Sequence, residues 1–161
     1  MAQAAQTSFV SILDTPATEV ERPKPLPAGT YDAIVKGLYE EGVSSQKKTP
    51  YVRFTYAIQA AGDDVDQDDL HEILTDKDGV VHPLTEKTMK DTYYTTPDAL
   101  YRLTDVLTHM GVIDPDVEDG KTVRQALSET PNCSIRITVG HRSSESGEQI
   151  FAEVKRTMKA D

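Results

Sequence analysis

A chain of 161 residues, 37% hydrophobic and 27% charged, is long enough for one domain with a real core and too apolar for a disordered polymer. No apolar run approaches the ~18 residues of a membrane span, and "MAQAAQTSFVSILD" lacks the basic start and apolar centre of a secretory signal, so a cytoplasmic protein without a membrane partner is expected. The single cysteine, Cys133, excludes an intrachain disulfide framework and any multi-cysteine zinc site, and in "NCSIRITVG" it reads as a small buried apolar group.

The net charge of −10 weighs against a polyanionic partner until its distribution is read. Residues 1–62 are neutral overall, residues 63–86 carry −8 and residues 87–161 carry −2. The excess negative charge is therefore local, and the remaining surface has room for a basic groove.

Along the chain, residues 1–28 read as an extended arm: "SFVSIL" offers Phe9, Val10, Ile12 and Leu13 for docking, and "TPATEVERPKPLPAG" disfavours helix and central strand alike. The domain is expected over 29–161. Tyr31, Ala33 and Val35 alternate with Asp32, Ile34 and Lys36 as a strand does. A polar loop, "EEGVSSQKKTP", leads into "YVRFTYAI", which places Val52, Phe54, Tyr56 and Ile58 on a core face and Tyr51, Arg53 and Thr55 on the other. The run "AAGDDVDQDD" reads as a solvated loop, part of an acidic loop over 63–86, in which "LHEILT", "DKDG" and "VVHPL" form a short hairpin. "KTMKDTYYT" reads as a further strand.

The strongest helical signal follows. Thr96, Pro97 and Asp98 suit a helix start, Leu100, Leu103, Val106, Leu107 and Met110 form one apolar stripe, and Gly111 stops it. Thr122 and Gln125 have the spacing of a capping box for "TVRQALSE". "CSIRITVG" and "IFAEVKRTM" form a closing hairpin around a polar turn. Strands with a helix inserted before the last two predict a mainly β protein with one or two helices, wound as an OB-like small Greek-key barrel.

No cofactor or metal is expected. His71, His82, His109 and His141 have no partner at ligand spacing, and the aspartate runs lack the glycine and terminal glutamate of a calcium loop. Neither a phosphate loop nor a nucleophile elbow occurs, so the chain is not expected to be an enzyme. What remains is a binding surface of aromatics for stacking and cations for phosphates. Its candidates are Lys47 and Lys48 in the loop, Tyr51 and Arg53 on the strand, and Arg136, His141, Arg142 and Lys155 on the closing hairpin.

"VERPKPLPAGTYDAIVKG", "KKTPYVRFTYAIQAAGDD", "DALYRLTDVLTHMGV" and "IRITVGHRSSESGEQIFAEVKR" resemble uncharacterised bacteriophage proteins, similar to phage single-stranded-DNA-binding proteins with an OB fold. The likeness spans about residues 19–156 and assigns no binding residue by motif. It implies a sequence-tolerant single-stranded-DNA-binding protein of phage replication or recombination, working in the host cytoplasm. Two features depart from the replication-type pattern: the chain ends "VKRTMKAD" rather than in an acidic tail, and its acidic segment is internal. A phage structural or protein-interaction module, using the acidic surface to contact a protein partner, is the competing expectation. Self-association through the arm stays open.

Overall fold

The computed structural model describes residues 24–117, 120–147 and 149–160, together with Leu13 and Ala17. Most of the expected arm, including Phe9, Val10 and Ile12, lies outside these residues. Six strands form one open antiparallel sheet: β1 (Gly29–Val35), β2 (Glu40–Val43), β3 (Pro50–Ala61), β4 (Thr88–Tyr94), β5 (Ser134–Ser143) and β6 (Ile150–Met158). Three α-helices accompany it within residues 24–160: α1 (Gln67–Leu74), α2 (Leu100–His109) and α3 (Val123–Ser128). The mainly β class with helices stands, although the expectation of a closed barrel is not met. β3 is flanked by β4 on one edge and by β1 and β2, end to end, on the other; β1 continues through β5 to β6. No ladder joins β4 to β6 among the described residues.

Alternation builds the core. Tyr31, Ala33 and Val35 of β1, Val52, Phe54, Tyr56 and Ile58 of β3, and Ile135, Ile137 and Val139 of β5 are all buried on one side of the sheet. The stripe of α2 covers them, with Leu103, Val106 and Leu107 essentially inaccessible, and α2 packs against both β4 and β6. The helix thus bridges the two strands that the ladder leaves unjoined. It starts at Leu100, later than the Thr96–Pro97–Asp98 signal suggested, because those residues form a turn in which Ala99 N–H donates to Thr96 O. α3 has the expected capping box: Thr122 accepts from Gln125 N–H, and the Gln125 side chain accepts from Thr122 N–H.

Two segments differ from the sequence reading. Glu40–Val43, expected as loop, is a strand, since the edge of β3 beyond the end of β1 needs a pairing partner and finds it in Glu40↔Arg53 through Val43↔Pro50. The acidic run is not a solvated loop throughout. Asp66 caps α1 by accepting from the N–H groups of Asp68 and Asp69, whose charges suit a helix N-terminus, while Val65 and Leu70 are buried. "LHEILT" is therefore helical. Only the turn at Asp78-Gly79 survives from the expected hairpin, with a single bridge between Thr75 and Val81 and Asp76 accepting from Asp78 and Val80 N–H.

Leu103→Ala removes the centre of the α2 stripe and should destabilise the fold by about 2–5 kcal/mol. Chemical denaturation reads this directly; an unchanged unfolding midpoint would contradict the packing of α2 on the sheet.

Candidate functional site

The outer face of the sheet carries the side chains that alternate away from the core. Pairing places Tyr51 opposite Tyr94, Arg53 opposite Thr92 and Thr55 opposite Lys90, so the β3–β4 ribbon presents two tyrosines and two cations on one surface. The Tyr51 ring lies over Gly42 of β2. A Cβ there would come within 2.5 Å of the Tyr51 hydroxyl, so glycine is what lets the ring rest on the strand. The Arg53 guanidinium sits 4.8 Å from the Tyr51 ring centre and donates through Nε to Thr92 Oγ1 at 3.0 Å. These contacts hold a flat, cationic–aromatic plate at the start of β3.

Two clefts meet beside this plate. One is lined by Ser44, Ser45, Gln46 and Lys47 of the β2–β3 turn together with Tyr94, Thr96 and Ala99. The other, about 340 Å³, occupies the seam between β4 and β6 and is lined by residues that include Tyr94, Ala99, Arg102, Lys155 and Arg156. Tyr94, 49% exposed, stands at their junction. Lys47, Lys48, Lys90, Arg102 and Arg156 have no carboxylate within 4.0 Å among the described residues. Of these, Lys47, Arg102 and Arg156 line the two clefts around the exposed ring, with Arg102 donating through Nε to the Tyr101 hydroxyl at 3.1 Å.

The sequence candidates divide between this groove and other surroundings. Lys47 lines it, Tyr51 and Arg53 form the adjoining plate, and Lys48, next to Lys47, takes a left-handed backbone (φ 53°) in the tight β2–β3 turn. Lys155 lines the seam but is ion-paired to Glu153. Arg136 shares the outer face yet is turned to Asp32, Nε to Oδ1 at 2.9 Å, beside a cleft lined by Asp63 and Asp64. His141 donates through Nε2 to the Leu26 carbonyl at 2.9 Å and so fastens the entering chain. Arg142 lies on the outer end of the closing hairpin, 5.5 Å from the Phe151 ring centre. Tyr94, Lys90 and Arg102 escaped the sequence reading, whereas Arg156 was marked with Lys155 at the close of the last strand. The alternation of "TMKDTYY" could have placed Tyr94 on the outer face, whereas Arg102 and Arg156 reach the seam only through the fold.

Beneath the groove a polar chain crosses the seam. The Tyr56 hydroxyl donates to Asp91 Oδ2 at 2.9 Å, the Tyr93 hydroxyl turns to the same carboxylate and to Thr157, and Thr157 Oγ1 is hydrogen-bonded to His109 Nδ1 at 2.8 Å. Asp91 is an inward-pointing acid on an edge strand, a device that discourages further strand pairing. Burial pushes its carboxyl up to about 6, against the two tyrosine hydrogen bonds that pull it down. The acidic segment lies elsewhere: Asp64 accepts from Thr30 N–H and Oγ1, both at 2.9 Å, at the opposite end of β3 from Tyr51. Eleven strand steps, roughly 35 Å, separate the two ends. The acidic segment is a neighbour of Tyr51 in sequence only.

No family model and no curated protein matches the chain.

Because the folded Asp91 carboxyl titrates above its unfolded value of 3.8, the folded state holds the extra proton between pH 3.8 and about 6. Its contribution favours folding below that window and is lost as pH rises through it. Asp91→Asn, which keeps an acceptor for Tyr56, should stabilise the protein at about pH 7.5 by up to about 3 kcal/mol and flatten this pH dependence. Thermal melts of both proteins from about pH 4 to about pH 8 test it; parallel curves would refute the assignment.

Proposed function

We propose that the protein binds single-stranded DNA without sequence preference along the groove that runs from Lys47 past Tyr94 to Arg102 and Arg156. The observation that carries this reading is Tyr94 at the junction of two clefts, flanked by cations without carboxylate partners. Bases of any identity stack on a tyrosine face, and the neighbouring lysines and arginines match the spacing of a flexible phosphate backbone. Duplex DNA holds its bases inside the stack and offers no free ring to Tyr94. The net negative charge does not oppose this function, since the groove is electrostatically distinct from α1. This is the chemistry of a binding protein and not of an enzyme.

We read the fold as OB-like. Its strand order and the helix before the last pair suit a Greek key in which α2 and the Tyr93–Thr157 contact stand in for the missing ladder between β4 and β6. The resemblance to phage single-strand binders supplies the setting of DNA replication or recombination in the host cytoplasm.

Anisotropy titrations with a labelled oligothymidine and a duplex of equal length, at about 50 and about 200 mM salt, test the reading. The single strand should bind more tightly, and its affinity should fall with salt as phosphate counterions are released. Tyr94→Ala should weaken it by about 1–3 kcal/mol with the melting temperature unchanged, since the ring is exposed. Absence of binding at low salt, or equal affinity for both forms, would overturn the proposal and leave the acidic surface as the contact.

A further inference from the structure

The outer end of the β5–β6 hairpin carries a second set of stacking and cationic groups, arranged around a carboxylate. Beyond Val139, β5 pairs only with β6, so Gly140–Ser143 and Ile150–Glu153 project from the sheet. Phe151 is 36% exposed and Arg142 lies against its ring. Lys155 is the extra residue of a bulge, and its aliphatic stem lies flat on Gly140, where a Cβ would come within 2.6 Å of Lys155 Cγ. Between the two cations sits Glu153: Oε1 meets Lys155 Nζ at 2.5 Å, and Oε2 lies 3.4 Å from Arg142 Nε.

We propose that Glu153 is a built-in phosphate mimic, holding shut a second nucleic-acid subsite made of Phe151, Arg142 and Lys155. The proposal rests on the single-strand reading above. A carboxylate that gives one oxygen to each of two cations occupies them as the two unesterified oxygens of a phosphodiester would. The Lys155 hydrogen bond, followed by the charges of Lys155 and Arg142, holds the Glu153 carboxyl below its ordinary range, so the mimic is ionised at neutral pH. Lys47, Arg102 and Arg156, which line the clefts around Tyr94, have no such occupant among the described residues. A strand therefore enters the groove by displacing mobile counterions, whereas at the hairpin it must displace an anion tethered to the protein. The hairpin is engaged last and released first.

Glu153→Gln removes the charge and keeps the shape. The ion pairs it breaks are exposed, so the fold should be retained. The variant and the parent are titrated with two oligothymidines, one short enough to fill the groove alone and one long enough to reach the hairpin. The long strand should bind the variant about 3- to 10-fold more tightly, with a steeper dependence on salt, because Lys155 and Arg142 then release counterions. The short strand, which meets Lys155 at the seam but not Arg142 or Phe151, should gain less than the long one. Adding Arg142→Ala to Glu153→Gln should remove part of the gain, and adding Lys155→Ala as well should abolish it. Equal affinity of parent and variant for the long strand overturns the mimic while leaving the groove in place; failure of both proteins to bind either strand overturns both readings.

Discussion

The register of β3 is the constraint from which the rest of the molecule follows. Its twelve residues pair with β4 along one edge and with β2 and β1 in succession along the other, so three ladders share one strand. Alternation then sets two faces at once. Val52, Phe54, Tyr56 and Ile58 go into the core, and Tyr51 and Arg53 go to the surface. A slip of one residue would exchange them, burying a guanidinium and exposing four large apolar groups, which the core cannot tolerate. Packing of the core face thus also fixes the geometry of the outer plate.

The outer face is divided by how its cations are neutralised. On the β1–β5–β6 half, Asp32 holds Arg136, and Glu153 holds Arg142 and Lys155. On the β3–β4 half, Arg53 has Glu40 only at 3.9 Å and is committed mainly to Thr92 and the Tyr51 ring. Arg102 and Arg156 of the seam have no described acid within ion-pair distance. Exposed ion pairs contribute little to stability, so their arrangement says more about what the face can accept than about what holds it together.

Much of this fold was legible in the chain because its signals are local. The alternation in "YVRFTYAI", the stripe from Leu100 to Met110 and the Thr122–Gln125 box each depend on a few neighbouring residues. What escaped the sequence was decided at longer range. Polar Glu40–Val43 became a strand because β3 offered an unfilled edge, and the short apolar run in "LHEILT" was ambiguous until the Asp66 cap and the burial of Leu70 made it helical. Whether the sheet closes depends on β4 and β6, which are far apart in sequence. The candidate site followed the same rule. Tyr51 and Arg53 were found by periodicity, while Arg102 and Arg156 join them only because α2 and β6 come back to the seam. The hydrogen bond from His141 to the Leu26 carbonyl could not be read from the chain, because the two residues lie 115 positions apart.

The anchoring of Asp64 to Thr30 fixes the negative end of the protein at the finish of β3, while the groove lies at its start. Charge separated in this way contributes a dipole component directed along β3. In the field of a polyanion the protein experiences a torque as well as a net repulsion, and the torque turns the cationic end forward before contact. The fraction of collisions that arrive in a productive orientation is then set by ionic strength, since salt screens the field over a Debye length of ~10 Å at about 0.1 M. An acidic protein can in this way approach an acidic polymer, provided that α1 is carried behind.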